Sequence, residues 1–175
     1  MSNKKEKPKF LYHGSPHREI EELEPRNIKI RDPEEGPQVF ATHDLAMATI
    51  FMAEQAKGPS GLMNDIPYFI IVDSRENFIK NDRGGHIYVL PSDKFISDPN
   101  KGLGEYEWTS KESVSPIDKI EFPSTLDAMI KNGVQVYFVE PSEFNKIEPE
   151  NRDAEVIKNF ESENQKRGVN VRKLD

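Results

Sequence analysis

Glu105 and Glu107 flank Tyr106, and Trp108, the chain's single tryptophan, follows directly. Two carboxylates beside aromatic rings suit the stabilisation of a sugar cation, because the rings exclude water and so strengthen the field of the charge. A second segment, Leu11-Tyr12-His13-Gly14-Ser15, sets a polar aromatic, an imidazole and a glycine between an apolar strand and a helix start. Gly14 at such a junction lets a ligand approach the backbone closely. The third segment, Val39-Phe40-Ala41-Thr42, feeds an apolar helix that carries Phe51. Each segment also has a plainer reading. A His-Gly pair at a strand end is a turn, 39–42 is a buried strand, and 105–108 is an edge strand with both glutamates outward and Trp108 inward.

Most other chemistries lack their pattern. There is no phosphate loop, dinucleotide-binding glycine triplet, His-Glu-x-x-His zinc motif, nucleophile elbow or calcium loop. His13 and His17 are four apart, but Gly14 and Pro16 lie between them, so the rings share no helical face and no metal site is expected. His43 and His86 are isolated and read as surface or loop residues. With no cysteine, disulfides, thiolate metal sites and thiol catalysis are excluded.

The elements that must position these residues follow from periodicity and punctuation. Residues 10–13 read as a first strand, and Ser15, with Pro16 at the first helical position, predicts a helix through Ile20 and Leu23. Residues 24–36 are polar with two prolines and read as a long loop. A strand at 37–42 leads to Asp44, which caps a helix over 45–57 whose apolar residues cover more than one face, so it should be buried. The continuous apolar run 68–72 predicts a central strand. Residues 77–80 and 86–90, joined through 81–85, predict a hairpin. Further short strands fall at 106–110 and 117–122. Ser124 to Asp127 resembles a capping box and opens a helix that stops at Gly133. A late alternating strand covers 134–139, and a helix at 153–167 has Val156, Ile157 and Phe160 as its anchors. Short strands mixed with a few helices, without regular alternation, indicate an α+β fold.

At 175 residues the chain is one ordinary domain in size, expected as a flexible N-terminus at 1–8, a domain at 9–150 and a C-terminal helix or tail at 151–175. Hydrophobic residues at 35%, a mean hydropathy of -0.74 and 13 prolines predict a modest core and generous loops. The net charge of -7 disfavours non-specific binding to nucleic acid or anionic membranes. The basic start is not followed by an apolar run, and no stretch approaches the ~20 apolar residues of a membrane span. A cytoplasmic location with no membrane partner is therefore expected.

Taken in order, the three segments resemble the ADP-ribosyltransferase superfamily, in the His-Tyr-Glu branch typified by diphtheria toxin and the poly(ADP-ribose) polymerases. Residues 11–15 are similar to its first motif almost residue for residue. Val39-Phe40-Ala41 falls where the family often has a Tyr-Phe-Ala strand before a helix with an aromatic. Glu107, ahead of Val114 and Pro116, is similar in spacing to the catalytic Glu of bacterial DNA-modifying members. Val39 stands where the family has its Tyr. Glu105-Tyr106-Glu107 also fits the E-x-E of the arginine-modifying branch, whose leading Arg and Ser-Thr-Ser strand this chain lacks.

The resemblance implies an ADP-ribosyltransferase-like split β-sandwich with flanking helices and an NAD cleft between two small sheets. It implies NAD as substrate and metal-independent transfer of ADP-ribose to a protein, nucleic-acid or small-molecule acceptor. Under it, His13 bonds the adenosine ribose, the Gly14 backbone holds the nicotinamide carboxamide and Ser15 assists. Phe40 and Phe51 pack on the ring, and Arg26 meets the adenylate or pyrophosphate charge. Glu107 is the catalytic carboxylate and Glu105 its auxiliary. Two alternatives stand beside this reading. One is an RNA 2′-phosphotransferase of the same superfamily, which needs a clustered basic pocket. The other is an inactive module that binds NAD, ADP-ribose or a partner. His13 separates scaffold from ligand roles: a scaffold histidine bonds neighbouring backbone, whereas a ligand histidine waits for the cofactor.

Overall fold

The computed structural model describes residues 6–26, 31–53 and 56–169, and the chain is α+β with three small sheets. In the first, β1 (Phe10–Ser15) and β8 (Asp118–Phe122) flank β5 (Gly85–Pro91), all antiparallel. In the second, β2 (Val39–Ala41) and β6 (Ile96–Ser97) flank β7 (Trp108–Ser110), again antiparallel. Of the segment 105–108 expected as an edge strand, only Trp108 is in a strand, and that strand is central. The third sheet centres on β4 (Ile66–Ile71), as its unbroken apolar run predicts. It pairs antiparallel with β3 (Ser60–Met63) across a tight turn with φ of 52° and 62° at Asn64 and Asp65. Its other neighbour, β9 (Gln135–Phe138), is parallel to it.

Two helices hold the sheets together. Asp44 caps α1 (Leu45–Ile50), its Oδ1 accepting the Ala46 N–H at 2.9 Å. Met47 and Ile50 belong to one apolar cluster with Phe69, Ile71 and Met129, while Ala48 and Met52 join Ile87 of the first sheet in another. Both faces are buried, as expected. Ser124 caps α3 (Thr125–Lys131), which stops at Gly133 in the left-handed region at φ 92°.

Four expectations fail. No helix follows Ser15. Pairing with His86 keeps Ser15 extended, and its hydroxyl accepts the His17 N–H at 3.1 Å. The Tyr88 hydroxyl then donates to the His17 carbonyl at 2.6 Å and accepts the Ile20 N–H at 3.2 Å, taking backbone groups that a helix would need. The helix expected over 45–57 ends at Ile50, because the N–H groups of Phe51, Met52 and Ala53 bond three residues back in tighter turns. Beyond it, the Lys57 and Pro59 carbonyls accept N–H groups of Val72 and Ile70. Residues 77–80 are not a strand but part of α2 (Arg75–Asn81), capped by Ser74. Phe78 packs on Phe138 at 5.5 Å between centroids, and with its neighbour Ile79 exposed, a single apolar anchor replaces strand alternation.

The C-terminal helix is the fourth. After α4 (Pro141–Lys146) it divides into α5 (Arg152–Asn159) and α6 (Glu163–Lys166), because Ser162 and Gln165 form a capping box inside it. Val156 and Ile157 pack on Tyr68, Ile70 and Tyr137. The Asn164 amide accepts the Val136 N–H at 3.2 Å and donates to the Val134 carbonyl at 3.0 Å, so α6 is stitched to the β9 segment. Residues 1–5 of the expected flexible terminus and 170–175 of the expected tail lie outside the described residues. No helix among the described residues is long and apolar enough to cross a membrane.

Candidate functional site

Strands β1 and β2 belong to different sheets but touch at one point. Tyr12 and Thr42 exchange backbone hydrogen bonds at 2.7 and 2.9 Å, and His13 Nδ1 lies 2.7 Å from the Phe40 carbonyl oxygen. A carbonyl only accepts, so Nδ1 carries the proton and donates. Around this junction opens a cavity of about 880 Å³. That is within the range of small-molecule and cofactor sites, roughly 300–1,000 Å³.

Seven of the eight residues singled out from the sequence border it: His13, Gly14, Ser15, Arg26, Phe40, Phe51 and Glu107. Glu105 does not. Gly104, at φ 61°, starts a short 3-10 turn over Gly104–Tyr106, so β7 begins only at Trp108 and Glu105 lies exposed before it. Gly14 lines the cavity, yet its missing side chain serves another purpose: a Cβ there would stand 1.9 Å from the Ala48 carbonyl oxygen. The glycine admits α1 against β1. Phe51 closes the end of α1 and is 41% exposed, enough for its ring to meet a ligand. Arg26 is exposed, its backbone bridged to Gln38.

Glu107 is held in a network that spacing did not reveal. Arg31 Nη1 donates to Glu107 Oε1 at 2.8 Å, while the rest of its guanidinium forks onto Glu35 at 2.9–3.2 Å. Lys101 Nζ bridges Glu35 at 2.7 Å and Asp32 at 3.0 Å. Burial works against the Arg31 charge, but the bonds to Glu35 and Glu107 hold its pKa above the ordinary value. The Lys101 hydrogen bond depresses both Glu35 and Asp32. Two cations thus face three carboxylates. Gly102, at φ 53°, lies against the same carboxylate, where a Cβ would come within 2.1 Å of Oε1.

Arg31, Gly102 and Gln38 all line the cavity and were not singled out from the sequence. Arg31 and Glu35 have the i, i+4 spacing of a local ion pair, a readable signal; the reach to Glu107, 76 residues away, is not readable. Gln38 is 5% exposed, and its Oε1 has no hydrogen-bond partner among the described residues. A buried acceptor in a cavity wall suits a ligand that brings a donor. Of the two histidines expected as surface or loop residues, His43 is one, exposed in a loop and stacked on Tyr106 at 5.3 Å. His86 is instead a buried residue of β5. Among the described residues no group of three or more His, Asp or Glu side chains is arranged to hold a metal ion.

No protein-family model matches the chain, and no curated protein or solved structure shows significant similarity to it.

Proposed function

We propose that this cleft binds NAD and that the protein is an ADP-ribosyltransferase. The observation that carries the proposal is convergence: residues from three separated segments, His13 and Gly14, Phe40 and Phe51, and Glu107, border one cavity of dinucleotide size. On this reading the fold is an ADP-ribosyltransferase-like split β-sandwich, with the first two sheets as the walls of the cleft. Phe40 and Phe51 pack on nicotinamide, and Arg26 meets phosphate charge. Glu107 bonds the 2′-hydroxyl of the nicotinamide ribose. As the bond from C1′ to the ring nitrogen breaks, nicotinamide leaves with the electron pair and Glu107 stabilises the oxocarbenium, a charge interaction made mainly in the transition state. An acceptor nucleophile then bonds to C1′ and gives up its proton.

Binding is tested by melting. NAD at about 100 times its dissociation constant stabilises a one-site protein by ~2.7 kcal/mol, or roughly 5–10 °C at this chain length. A melting temperature that does not move across millimolar NAD rejects the nucleotide site. A second reading, a cleft that binds NAD without turnover, is favoured by one contact, the Arg31 guanidinium already seated on Glu107. Free nicotinamide in the incubation mixture distinguishes enzyme from binder.

A further inference from the structure

Arg31 has two partners of unequal claim. Three of its contacts go to Glu35 and one goes to Glu107. If Glu107 turns away, the guanidinium keeps a complete fork on Glu35, which Lys101 in turn holds. If Arg31 leaves, Glu107 has no such reserve among the contacts described. One charged hydrogen bond separates the arrangement seen from one in which Arg31 sits wholly on Glu35. Both side chains of that bond are largely shielded, at 13% and 17% exposure, so neither is dissolved in water when the bond is intact.

The backbone on either side is a pair of tight turns tied to each other. Asp32 closes a turn, its carbonyl accepting the N–H groups of Glu35 and Gly36, the latter at φ 72°. Across from it the Lys101 N–H bonds the Asp98 carbonyl, the Gly104 N–H bonds the Lys101 carbonyl, and Gly102 and Gly104 both take positive φ. Lys101 ties the two segments together through Asp32 and Glu35. Gly102 lies against the same carboxylate, where a Cβ would stand 2.1 Å from Oε1, the oxygen Arg31 bonds.

We propose that residues 31–36 and 98–104 form a latch in which Arg31 is an internal competitor for Glu107, holding its carboxylate in the empty cleft and yielding it when a ligand hydroxyl arrives. The latch rests on the NAD reading only for the identity of what it guards. Arg31 offsets the charge of Glu107 and keeps it from bonding solvent or stray cations. Entry of the ligand moves Arg31 wholly onto Glu35 and swings Gly102 off the carboxylate. A ligand must spend part of its binding free energy on opening, so removing the latch should tighten apparent affinity.

Hydrogen exchange on the full chain without ligand tests the latch itself. The probes are the N–H groups of Glu35 and Gly36 on one segment and of Lys101, Gly104 and Glu107 on the other. Arg31→Gln should speed exchange in both segments together by about 5–30-fold, a change of one to two kcal/mol in opening. The β5 amides should not change, which shows that the variant is folded. Arg31→Lys, which keeps one charged contact but not the fork, should fall between. Exchange unchanged, or faster in one segment alone, overturns the latch. In a second arm nicotinamide release from NAD is measured, and Arg31→Gln should raise kcat/KM by about 5–30-fold. A fall in kcat/KM would make Arg31 a partner of Glu107 in the reaction and also overturn the proposal. If neither protein releases nicotinamide, the transferase reading fails and the exchange result alone decides the latch.

Discussion

His13 does two jobs with one ring. Its Nδ1–H holds β1 to β2 through the Phe40 carbonyl, and the same side chain lines the cavity. The scaffold role is therefore real, and His13→Ala should lower the stability of the ligand-free protein by about 1–2 kcal/mol, the worth of a part-buried hydrogen bond. Under the proposed function the same variant should also weaken NAD by about 5–30-fold. Calorimetry of binding and melting on one sample gives both numbers. A destabilised protein with unchanged affinity would leave His13 to the scaffold alone. His86, one strand away, makes a pH prediction. Burial, then the charges of Lys119 and Arg18, push its pKa below the ordinary value, with Glu121 opposing them. An unfolded histidine titrates near 6.5, so between that value and the lower folded pKa the unfolded chain binds the proton that the folded chain refuses. Stability should be full above pH ~6.5 and fall as pH drops below it toward the lowered folded value. His86→Leu should flatten that slope at little cost in stability, since Nδ1 has no partner to lose among the described residues. A slope unchanged in the variant would remove His86 as its source.

At the scale of elements, Asp82 shows why part of the fold was legible and part was not. The run 81–85 has the composition of a hairpin turn, but only 82–84 form the connection, and they lead out of a helix rather than a strand. The Asp82 carboxylate accepts the N–H groups of Gly84, Thr125 and Leu126 and the Ser124 hydroxyl, capping α3 from 42 residues away. Burial tends to raise its pKa, but the Leu126, Thr125 and Gly84 bonds outweigh that and lower it. Asp82→Ala strands the donors at the start of α3 and should cost about 1–2 kcal/mol, read from denaturant unfolding; no loss would show that water or Ser124 suffices as cap. Local signals succeeded where the partner is local: Asp44 on α1, Ser124 on α3, the stop at Gly133 and the apolar run of β4. They failed after Ser15, where Ser-Pro is a good helix start but Tyr88 takes the backbone groups at His17 and Ile20. Glu105 failed for the same reason at shorter range, because the glycine before it bends the chain out of strand alternation.

For the whole molecule, the cavity is where the separated segments meet, and seven of eight residues chosen by type and order border it. Order along the chain carried that information because β1, β2 and the residues before β7 are joined across the first two sheets. The network around Glu107 was not legible, since an ion pair between positions 31 and 107 leaves no local trace in either segment. The central claim is that Glu107 stabilises a cation formed from bound NAD. Nicotinamide release measured at saturating NAD, for the native chain and Glu107→Gln side by side, tests it most directly. The glutamine keeps shape and a hydrogen-bond acceptor but loses the charge, so release should fall by about 10²–10³-fold while NAD affinity changes little. Equal release from both proteins, or none from the native chain in the presence of bound NAD, would contradict the account.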